Sequence, residues 1–381
     1  VTPYGTLEKR NGRTYPGAVG KSYPERHQDA VAACAWMQAQ YERGLIENGW
    51  IVFAHVERDG AWSAEDGGGY NVEHFRDFND AGPDVCFGFE GAPGHQVNDN
   101  RGFGNTVTCD AAGACTSKDF GGTYGGVGYY TARVGGLWDA LLGEGRRFFN
   151  FASSDYHRHH TAGGDDFYPG EYQRDWVFVK GARPEGRASA NAIADALRSG
   201  TSFFVQGDLV DRLVFTARHG EREAAMGEAL ELPGRGRKQV ELRIRFRTPE
   251  RNAAGGAPTV DHVDLVAGAI GGRIPSDDPA YTDPTNPTAK VIASFTASDW
   301  ETDEDGFATI VHRVEVDGST YFRLRGTNLP CGTPNETGPA APLPSADHCS
   351  PLPDALAYPN DAGKAFADLW FYSNPIFVHA D

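Results

Sequence analysis

No stretch of the chain approaches the roughly 20 consecutive apolar residues of a membrane-spanning helix, so a spanning helix is excluded. Basic residues are also scarce: 35 Lys and Arg stand against 52 Asp and Glu, a formal charge of -17. Nucleic acids and anionic membrane surfaces are held largely by Lys and Arg, and this balance argues against both as partners. No cysteines are spaced Cys-x-x-Cys, which removes the zinc site of that form. Gly-x-Ser-x-Gly is missing, so Ser153 and Ser154 occupy no nucleophile elbow. The glycine-rich run from Gly121 to Gly128 lacks the Lys of a phosphate loop, and no repeat of solenoid length is present.

The chain has 381 residues, 40% hydrophobic and 23% charged, an ordinary globular composition. That length suffices for two domains, or for one large barrel with an appendage. The stretch that organises the first half is Phe148 to His160, FFNFASSDYHRHH, an apolar run that ends in Asp155, His157, His159 and His160. Residues two apart on a strand share a face, which sets Asp155 and His157 side by side where the strand gives way to a loop. His159 and His160 are expected on a solvated loop. Two other apolar runs end in similar residues. Trp50 to His55 closes on His55, with Glu57 and Arg58 just beyond, and Val85 to Glu90 closes on Glu90, with His95 following a Gly-Ala-Pro-Gly turn. In parallel α/β sheets the ligand-binding loops lie at the carboxyl ends of the strands, so these three ends are expected on one rim.

Around them, helical spacing predicts helices at 27–48, 71–79, 135–145 and 188–199, and strands at 176–179 and 201–205. Alternation of helix and strand is the rhythm of α/β crossovers. From about Asp208 the texture changes. Runs at 213–217, 240–246, 263–267, 291–295, 308–316 and 320–324 alternate apolar with polar between turn residues, which predicts an antiparallel β-sandwich. The expected domains are therefore residues 1–207, α/β, and residues 208–381, the sandwich with a final apolar segment at 368–378. Asp303 to Gly306 has the flavour of a calcium loop without its twelve-residue spacing, and is expected to turn a hairpin.

Cys109 with Cys115 and Cys331 with Cys349 each close a short polar loop and suit disulfide staples; Cys34 and Cys86 fit either a third bridge or two buried thiols. This usage points to a periplasmic or extracellular protein. The chain begins at Val1 without Met or an apolar leader, as a processed or truncated chain would, so an upstream piece is expected. Asn335-Glu336-Thr337 is a glycosylation sequon, meaningful in a eukaryotic secretory host.

Imidazole and carboxylate together suit divalent zinc, manganese or iron, and a carboxylate can bridge two ions. Such ions lower the pKa of water and clamp an oxyanion, the chemistry of phosphoester hydrolysis. The expected ligands are His55, Glu90, Asp155 and His157, with His95 a weaker candidate. Glu90 is the bridging candidate, and Arg58 is placed to meet a substrate anion.

These residues resemble a family. Ser153-Ser154-Asp155-Tyr156-His157 is similar to the final Gly-Ser-Asp-x-His motif of PHP-domain (polymerase and histidinol phosphatase) metallohydrolases. Ala54-His55-Val56-Glu57-Arg58 resembles their Ala-His-Pro-x-Arg segment with Val56 in place of Pro, and Phe89-Glu90-Gly91 resembles a later acidic strand end. Asn191 to Gly207 resembles the segment after the final motif in larger members with a C-terminal β-domain. The resemblance covers about half the chain. It implies a distorted seven-stranded β/α barrel with two or three metal ions, acting on small-molecule phosphate esters and in some relatives on carbamates or other esters. The family's opening His-x-His strand is absent before His55, where His27 is the sole histidine. The barrel is thus expected to be partial, completed by an upstream segment or a partner. A non-catalytic extracellular binding protein on the same fold is the alternative.

Overall fold

The computed structural model describes residues 9–10, 13–14, 23–57, 69–94, 106–109, 115–118, 127–180, 189–234, 236–330 and 362–380. Three apolar runs, Val52–Phe53, Gly88–Ala92 and Phe149–Ala152, pair in parallel in that order. Parallel neighbours need crossovers, and the helices Val72–Ala81 and Leu137–Gly143 lie in the two connections. Every residue of Gly88–Ala92 and Phe149–Ala152 is buried, as expected of strands covered on both faces. Phe53 stacks on Phe78 at 4.2 Å between ring centroids, and Phe75 meets Phe148 at 5.8 Å, so helix and sheet share an aromatic core.

The helix Tyr23–Glu42 packs beside Val72–Ala81 and is joined to the parallel sheet by a Cys34–Cys86 disulfide. The two residues therefore form a bridge and are not separate thiols. Cys109 faces Cys115 in the register of the hairpin Thr106–Cys109/Cys115–Lys118, whose side chains lie outside the described residues, as do Cys331 and Cys349. The Cys34–Cys86 bridge spans a sequence separation of 52. Loop entropy for a ring of that size corresponds to about 4 kcal/mol. A Cys34→Ala/Cys86→Ala variant is expected to lose stability of that order in denaturant unfolding; a loss below about 1 kcal/mol would remove the staple from the account.

The second half is built from hairpins. Arg222–Ala225, Arg212–His219, Lys238–Arg247, Phe307–Val316 and Glu301–Thr302 form a five-stranded antiparallel sheet in that order. Along Lys238–Arg247 the side chains of Val240, Leu242, Ile244 and Phe246 are buried at alternate positions, the period of a sheet with one wet face. Asp303 to Gly306 turns the Glu301–Thr302/Phe307–Val316 hairpin, with the Asp303 carboxylate accepting the N–H groups of Asp305 and Phe307. Between Leu213 and Leu324 the helical structure among the described residues is one 3₁₀ turn, Pro279–Thr282.

An eight-stranded sheet faces this one. Its path runs Ala229–Leu232, Ile376–Ala380, Thr320–Thr327, Trp370–Ser373, Ser202–Gln206 and Gln173–Val177, with His262–Ala269 added beside Thr320–Thr327 and Lys290–Thr296 paired in turn to His262–Ala269. Phe215, Ile244, Phe322 and Phe371 from the two sheets enter one apolar cluster. Ser202–Gln206 pairs with Gln173–Val177 on one side and Trp370–Ser373 on the other, so backbone pairing crosses residue 207. What changes near residue 207 is the kind of connection, from helical crossover to hairpin, and not sheet membership. The architecture is mixed α/β, with several sheets and few helices. Among the described residues no helix is long and apolar enough to cross a membrane.

Candidate functional site

The three parallel strands finish at neighbouring points, and their ends are tied through Glu90. This carboxylate is 8% exposed, on the central strand. Its Oε2 accepts the His55 backbone N–H at 2.6 Å, and its Oε1 accepts the Ser153 hydroxyl. Ser153 Oγ in turn accepts the Asp155 N–H at 3.1 Å. Gly94 lets the next loop lie against this turn, since a Cβ there would stand 1.7 Å from the Ser154 carbonyl oxygen.

His55 and Asp155 have φ of 31° and 41°. Positive φ is uncommon outside glycine and costs of order 1–3 kcal/mol where the surroundings enforce it. Among the described residues one other non-glycine residue, Asp208, shares this conformation. Two strand ends that carry metal-ligand side chains are thus also the places where the backbone leaves its ordinary range.

His157 is less well placed. Its Nδ1 lies 2.7 Å from the Asp155 carbonyl oxygen, 4.0 Å from Asp155 Oδ1 and 3.8 Å from Asp166 Oδ2, and the side chain is 68% exposed. Asp166, buried, accepts the N–H groups of His157 at 2.5 Å and Arg158 at 2.9 Å, fixing the turn that carries Asp155 and His157. His159 corrects the expectation of a solvated loop: it is buried, its Nε2 is 2.9 Å from Glu171 Oε2, and its ring stacks on Tyr168 at 4.0 Å. The 3₁₀ turn His160–Ala162 folds the loop back over it, which local spacing does not announce. Arg58 and His95 lie outside the described residues.

Two acids assigned no ligand role from the sequence stand close by. Glu57 is buried; its Oε1 accepts the Tyr130 N–H at 2.7 Å and its Oε2 has no hydrogen-bond partner. Burial pushes its pKa up to about 8, against the pull of the Tyr130 and Tyr129 N–H groups. Asp175, on Gln173–Val177, is half-buried. Burial raises its pKa to about 7, the Ala152 N–H at 3.1 Å opposes this, and the nearby Glu90 charge adds to it. An acid between Arg174 and Trp176 in a β-rich run was the available signal for Asp175.

Among the described residues no three His, Cys, Asp or Glu side chains stand together as a metal ion needs. Glu90 is turned toward His55 N–H and Ser153, and His157 is folded onto its own turn. The donor chemistry nonetheless fits a divalent cation: imidazole and carboxylate types come from adjacent strand ends, and the buried Glu57 and Glu90 make no ion pair with a basic side chain among the described residues. No family, curated protein or solved structure matches the chain.

Proposed function

We propose that the chain is a metal-dependent hydrolase, a PHP-like α/β-barrel portion followed by a β-sandwich, acting outside the cytoplasm on a small-molecule ester, with phosphoesters first. The observation that carries the reading is the pair of left-handed residues, His55 and Asp155, at neighbouring strand ends and linked through Glu90 and Ser153. His55, Glu90, Asp155 and His157 would hold two or three zinc, manganese or iron ions, with His95 a further candidate. Such ions supply the acidity that makes water nucleophilic near neutral pH.

The chain's own residues do the rest. Ser153 and the His55 N–H orient Glu90, and Asp166 holds the turn bearing Asp155 and His157. Glu57, whose pKa burial raises, accepts the Tyr130 N–H and caps the Tyr129–Ala132 turn. Arg58 is assigned to the substrate anion. The Cys34–Cys86 bridge is compatible with an oxidising compartment.

The test is a screen of aryl phosphate mono- and diesters beside carboxyl and carbamate esters. Phosphoester hydrolysis is expected to be lost on chelation, to return with zinc or manganese, and to be abolished by Glu90→Ala in a folded protein. A preference for carbamate or carboxyl esters would keep the site and change the substrate. Folded, metal-loaded protein that hydrolyses none of them would make the chain a binding protein on this fold.

A further inference from the structure

Beyond the three parallel strands, the antiparallel strand Gln173–Val177 lies against the same strand ends. Its residues pair with Ser202–Gln206, Gln173 opposite Gln206 and Asp175 opposite Phe204. Directly opposed residues, and residues two apart on one strand, share a face. Gln173, Asp175 and Gln206 therefore stand on one face, and that face looks toward the parallel sheet. Asp175 accepts the N–H of Ala152, the last residue of its strand, at 3.1 Å, and Gln173 Nε2 donates to the Pro93 carbonyl at 3.4 Å. On the same face Phe204 enters the core of the parallel sheet, while Phe203 and Val205 enter the other core.

Gln206 is 0% exposed, and both its Nε2 and its Oε1 lack a hydrogen-bond partner. Buried amides are almost always satisfied, so an amide open at both ends marks a place that something other than this chain fills. Asp175 reaches the N–H of Ala152, the residue after Phe151, which pairs with Glu90 in the parallel sheet, and neither acid makes an ion pair with a basic side chain among the described residues. Two acids and an amide oxygen are acceptors, and a cation answers all of them at once.

We propose that Asp175 and Gln206 extend the site onto two further strands, giving oxygen donors to a divalent cation held against Glu90. The inference rests on the metal-dependent reading and deepens it by naming two ligands and the kind of ion. Carboxylate and amide oxygens are hard donors, which selects manganese or magnesium at this position over zinc.

The experiment is calorimetric titration of the full oxidised chain with manganese chloride, with circular dichroism to confirm folding. Asp175→Asn keeps the shape and the acceptor for the Ala152 N–H, and is expected to weaken manganese binding about tenfold or more. Gln206→Met, close in volume, is expected to weaken it about threefold or more, and Asp195→Asn, on an exposed helix face, to leave it unchanged. Wild-type-like manganese binding by folded Asp175→Asn would overturn the inference and leave the metal-dependent reading standing. A wild-type chain that binds neither manganese nor zinc would overturn both. Should Asp175→Asn fail to fold, Gln206→Met decides: unchanged affinity places only ordered water against the amide and overturns the inference.

Discussion

Asp139→Ala is expected to cost about 3–5 kcal/mol of stability, the range for removing one partner of a buried ion pair. Asp139 and Arg323 are both fully buried; Arg323 Nε and Nη2 donate to the two carboxylate oxygens at 2.8 and 2.6 Å. The same carboxylate accepts the Tyr321 hydroxyl at 2.9 Å and the Gly135 N–H at 2.7 Å. These contacts join the helix Leu137–Gly143, which covers the parallel sheet, to the strand Thr320–Thr327 of the eight-stranded sheet. Alanine leaves the guanidinium buried over the Trp138 ring, 4.8 Å from its centroid, without its counter-charge. Arg323→Met made together with Asp139→Ala should recover part of the loss, because the stranded charge disappears with its partner. Urea unfolding of the two single variants and the double variant measures this. A cost below about 1 kcal/mol for Asp139→Ala would show that the two layers hold together without this pair.

The clamp also shows where sequence reasoning stops. Strands such as Lys238–Arg247 were legible because one face is wet and the burial of each residue is written as alternation. The ends at His55, Glu90 and Asp155 were legible because a ligand-type residue closing an apolar run is a local pattern. Sheet partnership is not local. Trp370–Ser373 pairs with Phe203 to Val205, from the far side of residue 207, and no periodicity predicts which edge a returning segment will join. Asp175 was passed over for a related reason, since its meaning comes from Ala152 and Glu90 across the fold. His159 was placed in solvent because Glu171 and Tyr168, which enclose it, lie on the far arm of the loop.

Asp155→Gly should separate the structural from the functional meaning of the strained strand end. At φ of 41° an aspartate pays a steric cost that glycine does not, about 1 kcal/mol. Glycine returns a similar amount through the greater freedom of the unfolded chain, so net stability is expected to move by no more than about 1 kcal/mol. The backbone N–H to Ser153 Oγ is kept, and with it the course of the turn. What is lost is the carboxylate. If it holds a catalytic ion, phosphoester hydrolysis should fall by about three decades, near 4 kcal/mol of transition-state stabilisation. Asp155→Asn keeps the shape and tolerates the same backbone, so a comparable fall there assigns the loss to charge. The measurements are initial rates at saturating metal beside urea unfolding of each variant. Activity within threefold of wild type, with stability down by more than about 2 kcal/mol, would make Asp155 a structural turn residue and leave the strain without a catalytic purpose.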